Sequence, residues 1–208
     1  MDLQFFGANC VSLSMKGLRI VIDDNLAALG GKSILKPDDI ALFTSPEHEP
    51  VKTRLCFDSP GEYEVSDVSI VGIAARSHMD ENDGKLSTTM YKLIIGDTSV
   101  LVTGHIHPDI NDAFLEQVGM IDILVIPVGG SGYTLDPIGA LKIIKEIEPK
   151  LVIPTHYAES DLQYPVPQVE LDTALKELAM EPKERVTKLR LKPGELSDVT
   201  QLIVLEKS

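Results

Sequence analysis

Tryptophan is missing from this chain, and cysteine is nearly so: Cys10 and Cys56 are the only two among 208 residues. They lie far apart and form no C-x-x-C pair, which argues against a disulfide scaffold or a zinc knuckle. Basic residues are scarce as well, with 19 Lys and Arg against 32 Asp and Glu and a formal charge of −13. Such a surface repels polyanions at long range, so nucleic acid and anionic membranes are excluded as partners. A small anion held by local donors is not. No apolar run reaches transmembrane length, and MDLQFFGANC at the start lacks a basic n-region and an apolar core. A cytoplasmic protein is the expectation. Aromatics make up only 5%, yet a hydrophobic content of 43% suffices for a core, and disorder is not indicated. Neither repeats nor low-complexity linkers divide the chain, so a single domain over residues 1–208 is expected.

The most informative stretch runs from Asp122 to Tyr157. Ile123 to Ile126 is apolar and rich in β-branched residues, the mark of a buried strand. Gly129, Gly130, Ser131 and Gly132 follow, then Tyr133 and Thr134. Asp136 and Pro137 supply an N-cap and a first-turn proline, and Ile138, Leu141, Ile144 and Ile147 keep helical spacing. Pro149 stops the helix, and Leu151 to Ile153 reads as a second buried strand leading to His156. A strand, a helix and a strand make a βαβ crossover, so the two strands are expected to be parallel and to open on one sheet edge. Sites of open α/β sheets lie on that edge, which puts the glycine-rich loop and His156 at one mouth.

Upstream, residues 2–23 read as a meander with a Lys16-Gly17 turn, followed by a loop, a short strand at 34–36 and the buried strand IALFT. The two prolines of SPEHEPVKT forbid helix throughout. A hairpin is expected across Ser66-Asp67 and another about Gly96-Asp97, separated by a polar loop at 76–87. Pro108 is expected to open a helix that stops at Gly119, and a further helix covers Val169 to Ala179. The segments RVTKLRLK and TQLIVLE are expected to form a last hairpin about a Pro193-Gly194 turn.

The stretches PVGGSGYTLDP and IEPKLVIPTHY resemble the C-terminal half of the metallo-β-lactamase fold. PGEYEVSDVSIVGI and STTMY are similar to its ascorbate-phosphate-lactonase-like, zinc-dependent hydrolase branch. The resemblance spans nearly the whole chain and implies an α/β fold of the four-layer αββα sandwich type, two sheets face to face with helices outside. It also implies a hydrolase-like protein, with His156 at a standard metal-ligand position and Asp23 matching the aspartate that ends the third strand.

The same resemblance exposes what the metal site lacks. The family's loop reads Thr-His-x-His-x-Asp-His, whereas this chain has Thr44-Ser45-Pro46-Glu47-His48-Glu49-Pro50. Ser45 and Glu47 stand at the first two histidine positions, Glu49 at the aspartate and Pro50 at the last histidine. His105 replaces the bridging aspartate. A catalytic zinc takes three protein donors plus water, and a two-metal site takes two such sets with a bridge. The leading expectation is therefore a protein with an eroded dinuclear motif. It would keep a cleft for a small ligand or a protein partner and hydrolyse little or nothing. Ser45, His48, His107, Gly130, Ser131 and Tyr133 are expected to line that cleft. One alternative is an active hydrolase of a lactone, phosphoester or related ester, with a single metal on His78, His105 and His156 and with Glu47 or Glu49 as base. Zinc or manganese would be the ion, and the eroded motif argues against tight binding. The other alternative is a structural subunit pairing with itself, as a homo-oligomer, or with an active paralogue. Plainer roles stand beside these: His48 as a solvated histidine among acids, His107 as a helix cap, and the glycine-rich loop as a sharp turn rather than an anion cradle.

Overall fold

The computed structural model describes residues 1–81, 84–192 and 194–208; Asn82 and Asp83 of the polar loop and Pro193 of the expected C-terminal turn lie outside the described residues. Two sheets dominate. The first contains β1 (Asp2–Gly7), β2 (Cys10–Met15), β3 (Leu18–Ile22), β4 (Ile40–Leu42), β5 (Leu55–Phe57) and β13 (Leu189–Arg190), in the order β13-β1-β2-β3-β4-β5. The second contains β6 (Gly61–Val65), β7 (Val68–Ala75), β8 (Thr88–Ile95), β9 (Thr98–Val102), β10 (Ile123–Pro127), β11 (Leu151–Thr155), β12 (Glu184–Val186) and β14 (Gln201–Leu205). Its order is β12-β14-β11-β10-β9-β8-β7-β6.

Local sequence accounts for these elements. β1 alternates buried and partly exposed residues, the period of a strand with one face on a core. β10 and β11 are buried at every position, as parallel strands covered on both faces must be. They pair in parallel from Ile123↔Leu151 to Pro127↔Thr155, as the βαβ reading requires. Between them runs α2 (Pro137–Ile147), whose N-cap Asp136 accepts a 2.6 Å hydrogen bond from the Gly139 amide. Glu148, in the left-handed region, ends it. α2 packs on β10 and on α3 (Leu171–Leu178).

One apolar cluster draws Leu3, Phe5, Leu13, Ile20 and Ile40 from the first sheet and Ile70, Met90, Val100, Leu124 and Val152 from the second. The sheets therefore face each other across a shared interior. The outer face of the first sheet buries Cys10 and Val21 with Leu26 of a 3-10 turn (Leu26–Leu29) and with Leu162 of the loop after β11. Among the described residues no helix is long and apolar enough to cross a membrane.

Four local expectations are corrected. Residues 34–36 form no strand, because the amides of Ile34 and Leu35 turn inward to the carboxylate of Asp24 at 2.7 and 2.9 Å. β5 went unforeseen: three residues behind a proline-rich loop carry no periodicity to read. The helix expected from Pro108 begins only at Asp112 (α1, Asp112–Val118), capped by Asn111, whose side chain accepts from the Phe114 amide at 2.9 Å. The C-terminal hairpin does not form either. β12 runs parallel to β14 in the second sheet, and the chain then crosses to pair β13 with β1 in the first. Thr187 and Lys188 leave the extended ladder between them, so one predicted strand serves two sheets.

The walls of the molecule's main cleft are joined at Gly104, just after β9. It has φ +61°, and a methyl group there would overlap the Thr44 side chain. Gly104→Ala is expected to lower the unfolding free energy by about 2–4 kcal/mol in urea denaturation. Gly17→Ala, also at positive φ but with nothing within 4 Å, is the control and is expected to cost only about 1 kcal/mol.

Candidate active-site cleft

The carboxyl ends of β3, β4, β9, β10 and β11 open on one side of the sandwich, around a cavity of about 1030 Å³. From the first sheet come Asp23 and Asp24, the Thr44–Pro50 loop and Lys52; from the second come His105, Tyr133, His156 and Tyr164.

The first wall is fixed by a buried carboxylate. Asp23, at φ +53°, accepts from the Thr44 amide and from the Thr44 hydroxyl, both at 2.7 Å. The Thr44 carbonyl in turn accepts from the Thr89 amide at 2.8 Å and the Thr88 hydroxyl at 2.7 Å, across to the second sheet. The loop therefore leaves the sheet from an anchored point. Farther along it, the His48 ring stacks on Phe43 with centroids 3.8 Å apart, its Nδ1 donates to the Glu49 carbonyl at 2.9 Å, and its Nε2 lies 3.3 Å from Asp58. His48 thus holds the loop in place while forming part of the cavity wall.

The second wall carries the histidines. His105 and His156 meet edge to face, with centroids 4.7 Å apart at 84°. Tyr133 lies 5.0 Å from His105, and Tyr164 lies 5.1 Å from His156. Gln168 sets the tautomer of His156. Its amide nitrogen donates to the Val166 carbonyl at 2.9 Å, so its oxygen is what faces His156 Nδ1 at 3.0 Å. Nδ1 must then carry the proton, leaving Nε2 with an acceptor lone pair. His156 has φ +55°, and its amide bonds the Ala8 carbonyl at 2.7 Å, tying β11 to the β1–β2 turn. Gly129 lets the backbone pass close: a methyl group there would strike the His156 carbonyl and Gln168.

The site residues expected from sequence divide between places. Ser45, Glu47, His48, Glu49, His105, Tyr133 and His156 share the cavity wall. Gly130 and Ser131 sit in the turn behind it, the Ser131 hydroxyl donating to the Pro167 carbonyl. His107 lies off the wall, its Nδ1 accepting from the Asp109 amide at 3.1 Å. His78 pairs with His107 at 6.1 Å between centroids, while its amide bonds the His105 carbonyl at 2.7 Å. Asp24, Tyr164 and Gln168 were not anticipated as site residues. Tyr164 and Gln168 sit in a proline-interrupted loop, where no spacing rule points to a site.

A metal centre of the kind the resemblance implies does not fit these residues. Among the described residues no group of three or more His, Cys, Asp and Glu is arranged to hold a metal ion. Ser45 and Pro50, at two of the four positions of the loop motif, offer little or nothing to a cation. Two buried imidazole nitrogens, His78 Nδ1 and His105 Nε2, have no hydrogen-bond partner among the described residues. What remains is a pair of uncharged bases facing an acidic wall.

Burial is the main cause of that neutrality. It holds His105 well below the ordinary histidine range, with His156 and His78 adding to the effect. It brings His156 down to about 4 against the opposing hydrogen bond it donates to Gln168. Burial also pushes the Asp23 carboxyl up to about 6, although Thr44 and His48 pull the other way.

The two displaced groups make opposite contributions to stability. The unfolded chain protonates His156 between about pH 6.5 and 4, where the folded chain resists, so this contribution is lost as pH falls. Folded Asp23 keeps a proton that the unfolded chain releases between about pH 4 and 6, so its contribution falls as pH rises. Denaturant unfolding measured across this range is expected to show Asp23→Asn gaining on the parent as pH rises from 4 to 6, by about 3 kcal/mol. His156→Gln is expected to gain on the parent as pH falls over a similar window, by a similar amount. Parallel curves for all three proteins would contradict both assignments.

Comparison with known proteins agrees with this architecture. The sequence profile of the Beta-lactamase superfamily domain matches residues 2–156. A UPF0173 metal-dependent hydrolase from Pyrococcus horikoshii is 28% identical over 137 residues, which cover 64% of this chain and 58% of that protein. A second, from Carboxydothermus hydrogenoformans, is 33% identical over 67 residues, 32% of this chain and 29% of its own length. The chain thus aligns with less than two thirds of either relative. Among solved structures, a putative Zn-dependent hydrolase of the metallo-beta-lactamase superfamily from Thermotoga maritima superposes with a TM-score of 0.74 at 26% identity, covering 100% of this chain and 99% of that one. A putative metal-dependent hydrolase from Parabacteroides distasonis gives 0.66 at 16% identity over 99% and 93% of the two chains, a likeness of fold alone. With most of its length matched by that profile, and with the sandwich to go with it, the chain belongs to the beta-lactamase superfamily.

Proposed function

We propose that this chain is a hydrolase-like member of the superfamily whose dinuclear metal site has eroded, acting as one domain over residues 1–208, and that it uses the inherited cleft to bind a small ligand. The observation that carries this reading is the donor arrangement. Ser45, Glu47, Glu49 and Pro50 occupy the loop, and no three-donor group is arranged for a metal among the described residues. A cleft of about 1030 Å³ is nevertheless kept, within the size range of small-molecule sites or slightly above it.

The chemistry of the walls narrows the ligand. With His105 and His156 held uncharged, Lys52 is the only Lys or Arg on the wall among the described residues, against Asp23, Asp24, Glu47 and Glu49. His156 Nε2 accepts rather than donates, and Tyr133 and Tyr164 add ring faces. A neutral hydroxylated molecule or an amine matches these groups, whereas a phosphoester would enter a negative field with no cation to neutralise it. Under this reading Glu47 and Glu49 accept hydrogen bonds from the ligand.

A second reading, a single relocated metal on His78, His105 and His156 with Glu47 or Glu49 as base, is favoured by the unpartnered nitrogens of His78 and His105. Metal analysis of protein purified without chelator separates the two. The first reading expects less than roughly one tenth of a zinc or manganese ion per chain, and no lactone or phosphoester hydrolysis on adding either metal. It also expects neutral polyols or simple amines, and not inorganic phosphate, to raise the melting temperature, an effect reduced by Glu47→Gln. Stoichiometric metal that is lost in His156→Ala would overturn it in favour of the second.

A further inference from the structure

Two sheets leave four edges: β13 and β5 in the first, β12 and β6 in the second. An open edge offers unpaired amides and carbonyls to another strand unless something discourages pairing. β13 has only two residues, and on β12 Arg185 is held by Asp172 at 2.7 Å. β6 carries exposed Glu62 and Glu64 on either side of Tyr63. A two-fold pairing of β6 with itself about Tyr63 would set Glu62 against Glu64, like charge against like. That edge is self-repelling.

β5 differs. The run Arg54-Leu55-Cys56-Phe57-Asp58 is complementary to its own reverse: turned about Cys56, Arg54 falls opposite Asp58 and Leu55 opposite Phe57. Arg54, Leu55 and Cys56 are exposed, and Arg54 has no ion pair among the described residues. The backbone is oriented for it. The Phe43 amide donates to the Phe57 carbonyl at 2.9 Å, so Phe57 faces β4. By the alternation of a strand, the amide and carbonyl of Cys56 face the open side.

We infer that β5 is the contact strand of a homodimer, in which β5 of one copy pairs antiparallel with β5 of a second about a two-fold axis at Cys56. The first sheet then continues across the axis as a twelve-stranded sheet, six strands from each copy. Two Arg54–Asp58 pairs flank the axis, and the contact is isologous, the commonest symmetry of soluble oligomers. Directly opposed residues that exchange both backbone hydrogen bonds have Cα atoms about 5.5 Å apart, within the range a disulfide spans. Cys10 is buried and does not compete.

The test uses full-length protein and diamide, which takes up the two electrons and two protons released as two Cys56 thiols join. The expected result is a covalent dimer from the parent and none from Cys56→Ser. Arg54→Glu places like charges opposite each other and is expected to cut the dimer yield, and the association seen by sedimentation, by about fivefold or more. Asp58 also touches His48, so its variant alone is ambiguous. The swap Arg54→Glu with Asp58→Arg is therefore the deciding protein, because it restores opposite charges only across the axis. Recovery of dimer in the swap supports the inference. Overturning results are a monomer at every concentration, cross-linking indifferent to Arg54→Glu, or a swap no better than the single variant. Far-UV circular dichroism confirms that each variant is folded before it is scored.

Discussion

Two hydrogen bonds from one threonine to one buried carboxylate hold this molecule's cleft open in its present shape. Asp23 ends β3 in a backbone conformation that L-residues seldom adopt, and its oxygens take both the amide and the hydroxyl of Thr44. Thr44 is bonded in turn from the second sheet by Thr88 and Thr89, and its side chain occupies the space left by the missing Cβ of Gly104. The two walls therefore share a single anchored residue. The loop beyond Thr44 thus departs from a point tied down by bonds to both sheets. Backbone strain kept where the surroundings over-determine it is the usual sign of a site.

Much of the architecture was legible because it rests on long, unambiguous patterns. The Asp122–Tyr157 unit announced itself through fully apolar strands, a Ser/Gly loop and the Asp136-Pro137 cap, and each took its expected place. Legibility failed where short segments obey distant partners. Ile34 and Leu35 look like strand residues, but Asp24 claims their amides. RVTKLRLK has the composition of one strand, but β14 and β1 each claim part of it. The site was legible to a similar degree. Histidine and acid positions could be read from the chain, whereas the contact of His105 with His156 and the role of Gln168 arise only when separate loops meet.

The cleft also illustrates how burial redefines a residue type. Five histidines in one chain suggest positive charge or metal affinity, yet His105 and His156 are held neutral by the apolar mass around them. The nearby carboxylates then decide the sign of the field. Uncharged imidazoles among carboxylates are suited to accepting hydrogen bonds. Fold and activity separate at such a place: fold is set by strand pairing, activity by a handful of side chains at strand ends.

The segment from Glu184 to Arg190, which leaves one sheet and joins the other, has a mechanical consequence. A chain that is hydrogen-bonded into both layers acts as a clasp, and shear between the layers would have to break β12 from β14 or β13 from β1. The spacing between the sheets is thereby held as a fixed gauge.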